Sequence, residues 1–197
     1  TCELDKIYTA DYYYVKFFDS DNGVIVCGYA KSNDTNESSR IYSTSNGGES
    51  WDIVGSGPAT NIIKGVVYVS SDVGFFCYDY VEGMDSNLYK TDDGGKTFAK
   101  VMLEEQELDS SAANPQGQET ETKTDSGKNG ADSSEQLRWG DVYKEALTPV
   151  VDSTGIITIY LTQGKNAVYN DGKTAAKYQS SDKGSTWKYI GQVEIKD

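Results

Sequence analysis

The chain has 197 residues, 31 acidic against 18 basic side chains, a formal net charge of −13 and no histidine. This excess of negative charge repels phosphate groups, so the composition argues against nucleic acid and anionic membrane surfaces as partners. The most apolar runs, "GVIVCGYA" (23–30) and "GIITIYL" (155–161), are too short to cross a bilayer. A chain of this length can still bury one substantial core or two small ones.

The three cysteines do not form a metal or redox motif. Cys2, Cys27 and Cys77 show no C-x-x-C spacing, and without histidine a zinc site would need an unusual ligand set. Cys27 and Cys77 lie in apolar, strand-like runs, so we expect buried free thiols. Cys2 suits the lipid-bearing cysteine of a bacterial lipoprotein, although the preceding Thr1 does not belong in the mature form. We predict no metal and no cofactor.

In chain order, three units repeat the same predicted elements. Each unit has a short apolar strand, a turn rich in Asp, Ser and Gly, a second strand with β-branched or aromatic residues, a loop, a tyrosine-bearing strand, a polar turn and a last strand. Four short strands in about 45 residues are typical of a β-propeller blade. The predicted first, second and last strands are 15–18, 24–27 and 52–54 in unit 1, 67–69, 75–78 and 99–103 in unit 2, and 149–151, 156–160 and 188–193 in unit 3.

The polar turn before each last strand carries the motif [S/T]-x-[D/N]-x-G-x-[S/T]-[W/F], with a tyrosine two residues upstream. Glycine supplies the positive φ of a tight reversal, and the Asp or Asn side chain accepts hydrogen bonds from turn N–H groups. The aromatic ring then packs on the sheet. The three copies are Thr44, Asn46, Gly48, Ser50 and Trp51; Thr91, Asp93, Gly95, Thr97 and Phe98; and Ser180, Asp182, Gly184, Thr186 and Trp187.

These three copies resemble the Asp-box, or bacterial neuraminidase repeat. The family includes sialidases, xyloglucan-degrading glycosidases, sortilin ectodomains and photosystem assembly factors. The resemblance implies an all-β, sialidase-type β-propeller of which three four-stranded blades are recognisable. It also implies that the box stabilises the fold and lies away from the ligand-binding face.

The resemblance leaves the closure of the ring open. Units 1 and 2 occupy residues 1–103 and unit 3 occupies 141–197. Residues 104–140 read as an acidic insertion, since 104–136 holds nine acids against two lysines and no aromatic residue, so we expect a mobile loop. Three blades do not close a ring, which leaves a piece of a longer chain, a homodimer of six blades or an open arc.

Self-contained catalysis is poorly supported. A sialidase needs three arginines for the sialic carboxylate, and the chain has only Arg40 and Arg138. A glycosidase with paired carboxylates would use the turns 19–23, 71–74 and 152–155, which we expect at the end of the sheets opposite the boxes. Their acids are candidate binding or catalytic groups, or ordinary turn residues, and "DSDNG" lacks most ligands of a calcium loop. The candidate acids are Asp19, Asp21, Asp72 and Asp152.

The tyrosine-rich composition favours a binding surface. Tyr12, Tyr13 and Tyr14 could stack on sugar rings or contact a protein, or simply suit a strand. We therefore predict a non-catalytic, exported and bacterial module that binds a glycan or protein partner at the cell surface. The alternatives are a fragment of a sialidase-like or other glycoside hydrolase whose catalytic residues lie outside this chain, and an assembly or scaffold factor.

Overall fold

The computed structural model describes residues 10–29, 38–108, 138–164 and 169–195. Within these ranges the chain is all-β, with thirteen strands and little helix. None of the helices in these ranges is long and apolar enough to cross a membrane. The elements are β1 (Tyr12–Phe17), β2 (Gly23–Gly28), β3 (Ser39–Thr44), β4 (Asp52–Ser56), β5 (Ile63–Tyr68), β6 (Gly74–Tyr78), β7 (Leu88–Thr91), β8 (Ala99–Lys100), α1 (Trp139–Val142), β9 (Glu145–Ala146), β10 (Val150–Val151), β11 (Ile157–Thr162), β12 (Thr174–Ser180) and β13 (Lys188–Glu194).

The strands form three antiparallel sheets, each following the order of the sequence. Sheet 1 is β1-β2-β3-β4, sheet 2 is β5-β6-β7-β8, and sheet 3 is β10-β11-β12-β13 with β9 paired to the end of β11. The prediction of four short strands in each unit is confirmed. The predicted strand 99–103 is too long, because β8 ends at Lys100 and the chain then leaves the sheet.

The sheets pack face to face in chain order. Sheet 1 contributes Val24, Val26 and Ile41 to a core that it shares with Tyr68 and Phe76 of sheet 2. The other face of sheet 2 packs on sheet 3. Because sheet 2 is covered on both faces, every residue of β6, "GFFCY", is buried, whereas β1 alternates between half-buried and exposed residues.

A second core lies between sheets 2 and 3. Phe75, Cys77 and Leu88 of sheet 2 meet Ile157 and Ile159 of sheet 3 there. Burial of these side chains supplies the main force that holds the two sheets together.

The two outer faces of this three-sheet stack differ in polarity. The face of sheet 1 that points away from sheet 2 exposes Tyr13, Val15, Phe17 and Ile53, which are 45–64% accessible to solvent. The outer face of sheet 3 carries Thr158, Tyr160, Lys177 and Gln179 at positions where sheet 1 has Val24, Val26, Ile41 and Ser43. An apolar face therefore lies at one end of the stack and a mostly polar face at the other.

Cys27 and Cys77 are buried free thiols, as predicted. Burial raises the pKa of each thiol to about 11, so both are protonated at neutral pH. Cys2 and residues 109–137 of the predicted insertion lie outside the described residues. At the two ends of that insertion, the Tyr178 hydroxyl donates to the Glu104 carbonyl (2.7 Å), and Trp139 is buried in α1.

Candidate functional site

The second box turn shows how the repeated motif works. Asp93 accepts hydrogen bonds from the Thr91 hydroxyl (2.8 Å), the Thr97 amide (2.8 Å) and the Thr97 hydroxyl (2.6 Å). Thr91 accepts in turn from the Gly95 amide (2.8 Å). These hydrogen bonds, led by those from Thr97, hold the pKa of Asp93 well below its usual range. One carboxylate thus satisfies most of the polar groups of the turn.

The other two boxes repeat this network with one chemical change. Asp182 accepts from the Ser180 and Thr186 hydroxyls (2.7 and 2.6 Å), and its pKa is lowered in the same way. In the first box Asn46 accepts from Thr44 (2.9 Å) but donates through Nδ2 to the Ser50 hydroxyl (2.8 Å). The amide therefore reproduces the turn without a charge.

The box glycines serve both the turn and the packing of the sheets. Gly95 and Gly184 have φ of +106° and +77°, a conformation that disfavours other residues. A Cβ on Gly95 would lie 3.0 Å from Ile41 of sheet 1, and one on Gly184 would lie 2.5 Å from Phe75 of sheet 2. Each of these two boxes therefore packs on the preceding sheet.

The expected position of the candidate acids relative to the boxes is wrong. The turns β1–β2 and β3–β4 lie at the same end of sheet 1, because the two antiparallel strands β2 and β3 separate them. Direct hydrogen bonds confirm this placement: the Gly47 amide donates to the Asp21 carbonyl (2.9 Å) and the Gly94 amide to the Asp72 carbonyl (2.8 Å). Asp19, Asp21, Asp72 and Asp152 thus lie at the box end of the sheets.

Two of these acids have clear roles within their own turns. Asp19 accepts from the amides of Asp21 (2.9 Å) and Asn22 (2.8 Å), and Asp152 from the amides of Thr154 (2.8 Å) and Ile156 (3.0 Å). The pKa of Asp19 is lowered chiefly by its hydrogen bonds from Asn22, and that of Asp152 chiefly by the Thr154 hydroxyl. In the described ranges no group of three acidic or cysteine side chains is arranged to hold a metal ion. The hydrogen bonds of Asp19 and Asp152 favour the interpretation that these acids are ordinary turn residues.

The three adjacent tyrosines separate onto the two faces of β1. The Tyr12 hydroxyl accepts from the Val66 amide (3.1 Å) and the Tyr14 hydroxyl from the Tyr68 amide (3.0 Å), so both bind the backbone of β5. Tyr13 lies on the opposite, outer face and is 47% exposed. Two of the three predicted contact residues therefore join sheet 1 to sheet 2.

A cleft of about 430 Å³ lies at the end of sheets 2 and 3 away from the boxes. Its walls are the β6–β7 loop (79–87) and the segment from Arg138 to Ala146. The floor is apolar: Leu88 comes from β7, Leu161 from β11, and Val101 and Leu103 from the segment that follows β8. Met84 and the 63% exposed Met102 also line it.

Asn87 lines the cleft and binds the Ala146 backbone as a neighbouring strand would. Its Nδ2 donates to the Ala146 carbonyl (2.9 Å) and the Tyr78 carbonyl (2.8 Å), while its Oδ1 accepts from the Ala146 amide (2.8 Å). The side chain is 1% exposed. It therefore holds β9 of sheet 3 against sheet 2.

Ion pairs line the rim of the cleft. Lys144 donates to Glu82 across the cleft (2.7 Å), Arg138 donates to Asp141 (2.9 Å), and Lys100 donates to Asp85 just outside it (2.8 Å). The Arg138 guanidinium lowers the pKa of Asp141, and Lys100 lowers that of Asp85. Glu105 also lines the cleft, and no Lys or Arg pairs with it among the residues that the structure describes.

Sequence reasoning did not identify the residues of this cleft. None of its lining positions belongs to the repeated motif, and the cleft forms only when segments far apart in the chain meet. The one available signal is Trp139 and Tyr143, two aromatic residues that follow a long polar stretch. Both are buried against each other, with ring centroids 4.6 Å apart, and close one wall of the cleft.

The chain matches no family model and no curated protein. Among solved structures, the Niastella koreensis GH74 enzyme aligns with 85% of this chain and 19% of its own, at a TM-score of 0.42 and 16% identity. YCF48 bound to D1 peptide aligns with 90% of this chain and 67% of its own, at a TM-score of 0.32 and 15% identity. The chain spans about a fifth of the length of the first protein. Neither likeness is close enough to support a statement about function.

Proposed function

We propose that the chain supplies three neighbouring blades of an Asp-box β-propeller that acts as a binding module outside the cell, with a protein partner docked in the cleft between sheets 2 and 3. The observation that carries this proposal is the position of the cleft. It lies at the end away from all three boxes, where the resemblance to the Asp-box family places a ligand.

The charges at the cleft favour binding over catalysis. General acids of glycosidases keep a raised pKa, whereas the pKa of Asp141 and of Asp85 is lowered by a neighbouring cation. The rim carboxylates Glu82 and Asp141 are held in ion pairs with Lys144 and Arg138. A glycoside hydrolase remains the second candidate only with catalytic residues supplied from outside this chain.

The lining favours a protein over a glycan as the partner. Sugar recognition relies on aromatic rings with an open face, and of the three aromatic residues that line the cleft Trp139 and Tyr143 are only 4% and 3% exposed, which leaves Tyr80 as the one partly exposed ring of its lining. The half-buried Met84 and the exposed Met102 also line the cleft, and their flexible thioether side chains adapt to the side chains of a protein partner. A cleft of this size accommodates a short segment of polypeptide.

The proposal is tested by blocking the cleft. The chain and a Gly140→Tyr variant would be applied to a peptide array and a glycan array, because a ring at position 140 fills space beside Glu105. A Ser20→Tyr variant, which adds the same ring in an exposed turn at the box end, is the control. We expect peptide binding that Gly140→Tyr abolishes and Ser20→Tyr retains.

Three other outcomes would count against this proposal. Binding that survives Gly140→Tyr would place the partner elsewhere, and glycan signals lost in that variant would replace the protein partner with a sugar. No signal on either array would remove the support for a binding module of this kind.

A further inference from the structure

The cleft is apolar at its floor and carries excess negative charge at its rim. Four carboxylates line it, from Glu82, Asp85, Glu105 and Asp141, against two cations, Arg138 and Lys144. Both cations are already bound to a rim carboxylate, at 2.9 and 2.7 Å. An incoming anion would therefore have to displace an existing ion pair.

The segment that follows β8 adds to this negative charge. Glu104, Glu105 and Glu107 are all exposed, and in the described part of the chain none of them forms an ion pair. The Tyr178 hydroxyl binds the Glu104 carbonyl (2.7 Å), which holds this backbone beside the cleft. Glu105 lines the cleft, and Glu104 and Glu107 are exposed on either side of it in the sequence, so all three carboxylates are free to bind a cation that enters the cleft.

We infer that the cleft takes a cationic segment of a partner protein, in which lysine or arginine side chains flank an apolar residue. This inference rests on the proposed function and names the chemistry of the partner. The apolar residue contacts Leu88, Val101 and Leu103 at the floor. The flanking cations pair with Glu105 at the rim and with Glu104 and Glu107, its exposed neighbours in the sequence, through charge-assisted hydrogen bonds.

The cleft is poorly matched to an anionic or sugar ligand. An acidic peptide or a sialylated glycan would bring further negative charge to a protein of net charge −13. A neutral sugar would find only the partly exposed Tyr80 among the aromatic residues of the lining, because Trp139 and Tyr143 are buried. A cationic segment with an apolar residue matches both the apolar floor and the negatively charged rim.

The test uses two short synthetic peptides and two charge variants of the full chain. In one peptide lysines flank a pair of leucines, and in the other glutamates replace the lysines. The rim variant is E104Q/E105Q/E107Q. The control variant, E49Q/D52N/D72N, removes the same charge from exposed positions at the box end. Affinities would be measured by fluorescence anisotropy at low and at physiological salt.

We expect the lysine peptide to bind and the glutamate peptide not to bind. The rim variant should weaken binding by about tenfold, since exposed ion pairs each contribute a fraction of a kilocalorie. The control variant should change it by less than about twofold, and added salt should weaken it. Equal weakening in both variants would show a diffuse charge effect and overturn the inference, as would binding of the glutamate peptide.

The Gly140→Tyr variant separates this inference from the proposed function. If array peptides require the open cleft but carry no cations, the cleft is a binding site and only its cationic specificity is wrong. If the lysine peptide binds equally well to Gly140→Tyr, the cleft is not the site and both proposals fail. The substituted glutamates are exposed, so thermal unfolding should confirm that the rim variant folds normally.

Discussion

At the scale of single residues, the box turns show how one side chain accepts hydrogen bonds from several polar groups of a turn. Asp93 and Asp182 each accept from two hydroxyls and from amides of their own turn, and Asn46 does nearly the same without a charge. The first box is therefore an internal precedent for an Asp→Asn substitution. The two acidic boxes differ from it mainly in their response to pH.

Replacing both acidic boxes by amides should make the fold less sensitive to acid. The pKa of Asp93 and of Asp182 is lower in the folded chain than the unfolded value of about 3.9. Their contribution to stability is therefore present above about pH 4 and is lost as the pH falls towards the folded pKa. We expect D93N/D182N to shift the acid-unfolding midpoint, followed by circular dichroism, to lower pH.

The control for this experiment is Asp72→Asn. The Asp72 carbonyl accepts from Gly94, but its carboxylate makes no hydrogen bond among the described residues. The Asp72→Asn variant should leave the acid-unfolding midpoint nearly unchanged. A D93N/D182N variant that unfolds at the same pH as the wild-type chain would contradict the role assigned to these carboxylates.

Asn87 is the residue on which the contact between sheet 2 and β9 depends most directly. Replacement by alanine leaves the amide and carbonyl of Ala146 without their partner in a buried position. We expect Asn87→Ala to lower the free energy of unfolding in urea by about 3 kcal/mol. Asn61→Ala, which loses a half-buried bond to the Asp79 carbonyl (3.0 Å) and a weak one to the Met84 sulfur (3.4 Å), should cost about 1 kcal/mol. Equal losses would argue against the strand-like role of Asn87.

At the scale of elements, β1 of sheet 1 and β5 of sheet 2 are joined by side-chain hydrogen bonds rather than by backbone pairing. β5 is an edge strand of sheet 2, and the Tyr12 and Tyr14 hydroxyls accept from its amides. Lys16, next on the same face, donates to the Tyr68 carbonyl (2.6 Å). An edge strand that would otherwise expose its polar backbone is satisfied in this way.

Removal of the Tyr12 and Tyr14 hydroxyls should weaken the contact between β1 and β5 and leave the aromatic rings in place. We expect Tyr12→Phe and Tyr14→Phe each to cost about 1 kcal/mol of unfolding free energy. Hydrogen exchange measured by NMR should become faster at the amides of Val66 and Tyr68. Tyr160→Phe, on the outer face of sheet 3, is the control, and its effect should stay within about 0.5 kcal/mol. Unchanged exchange at both amides would contradict the assignment.

At the scale of the whole molecule, the two outer faces of the three-sheet stack differ in polarity. Val15 and Ile53 are 56% and 64% exposed on sheet 1, on a face equivalent to those that sheets 2 and 3 bury. The Trp51 ring of the first box packs on Phe17 of its own sheet, with centroids 5.9 Å apart, whereas Trp187 packs at 5.9 Å on Phe75 of the preceding sheet. The sheet 1 face is thus the one that another surface would cover.

The exposed face of sheet 1 should cause the isolated chain to self-associate at high concentration, because a contiguous apolar sheet face is rarely left in water. We expect Val15→Ser/Ile53→Ser to abolish this association, measured by light scattering. The same substitutions should change the unfolding free energy by less than about 0.5 kcal/mol. Val150→Ser, on the outer face of sheet 3, should leave the association intact. A wild-type chain that stays monomeric would contradict this prediction.

Much of the fold was predictable because the repeat is local. Glycine at a fixed position, an acid or amide two residues before it and an aromatic three residues after it define each box, and alternating strands surround it. The site was harder to predict. The predicted position of Asp19, Asp21, Asp72 and Asp152 was wrong because two antiparallel strands separate each of their turns from the box, which brings both turns to the same end of the sheet.

The sequence by itself determined three repeated units, their four strands and the structural role of the boxes. These features depend on hydrogen bonds and side-chain alternation within a few residues, which a repeat displays directly. Only the tertiary structure decided where the cleft lies and which face is left open. At the cleft, Asn87 of the β6–β7 loop binds Ala146 of β9, which lies 59 positions later in the sequence, and such contacts depend on how complete sheets pack.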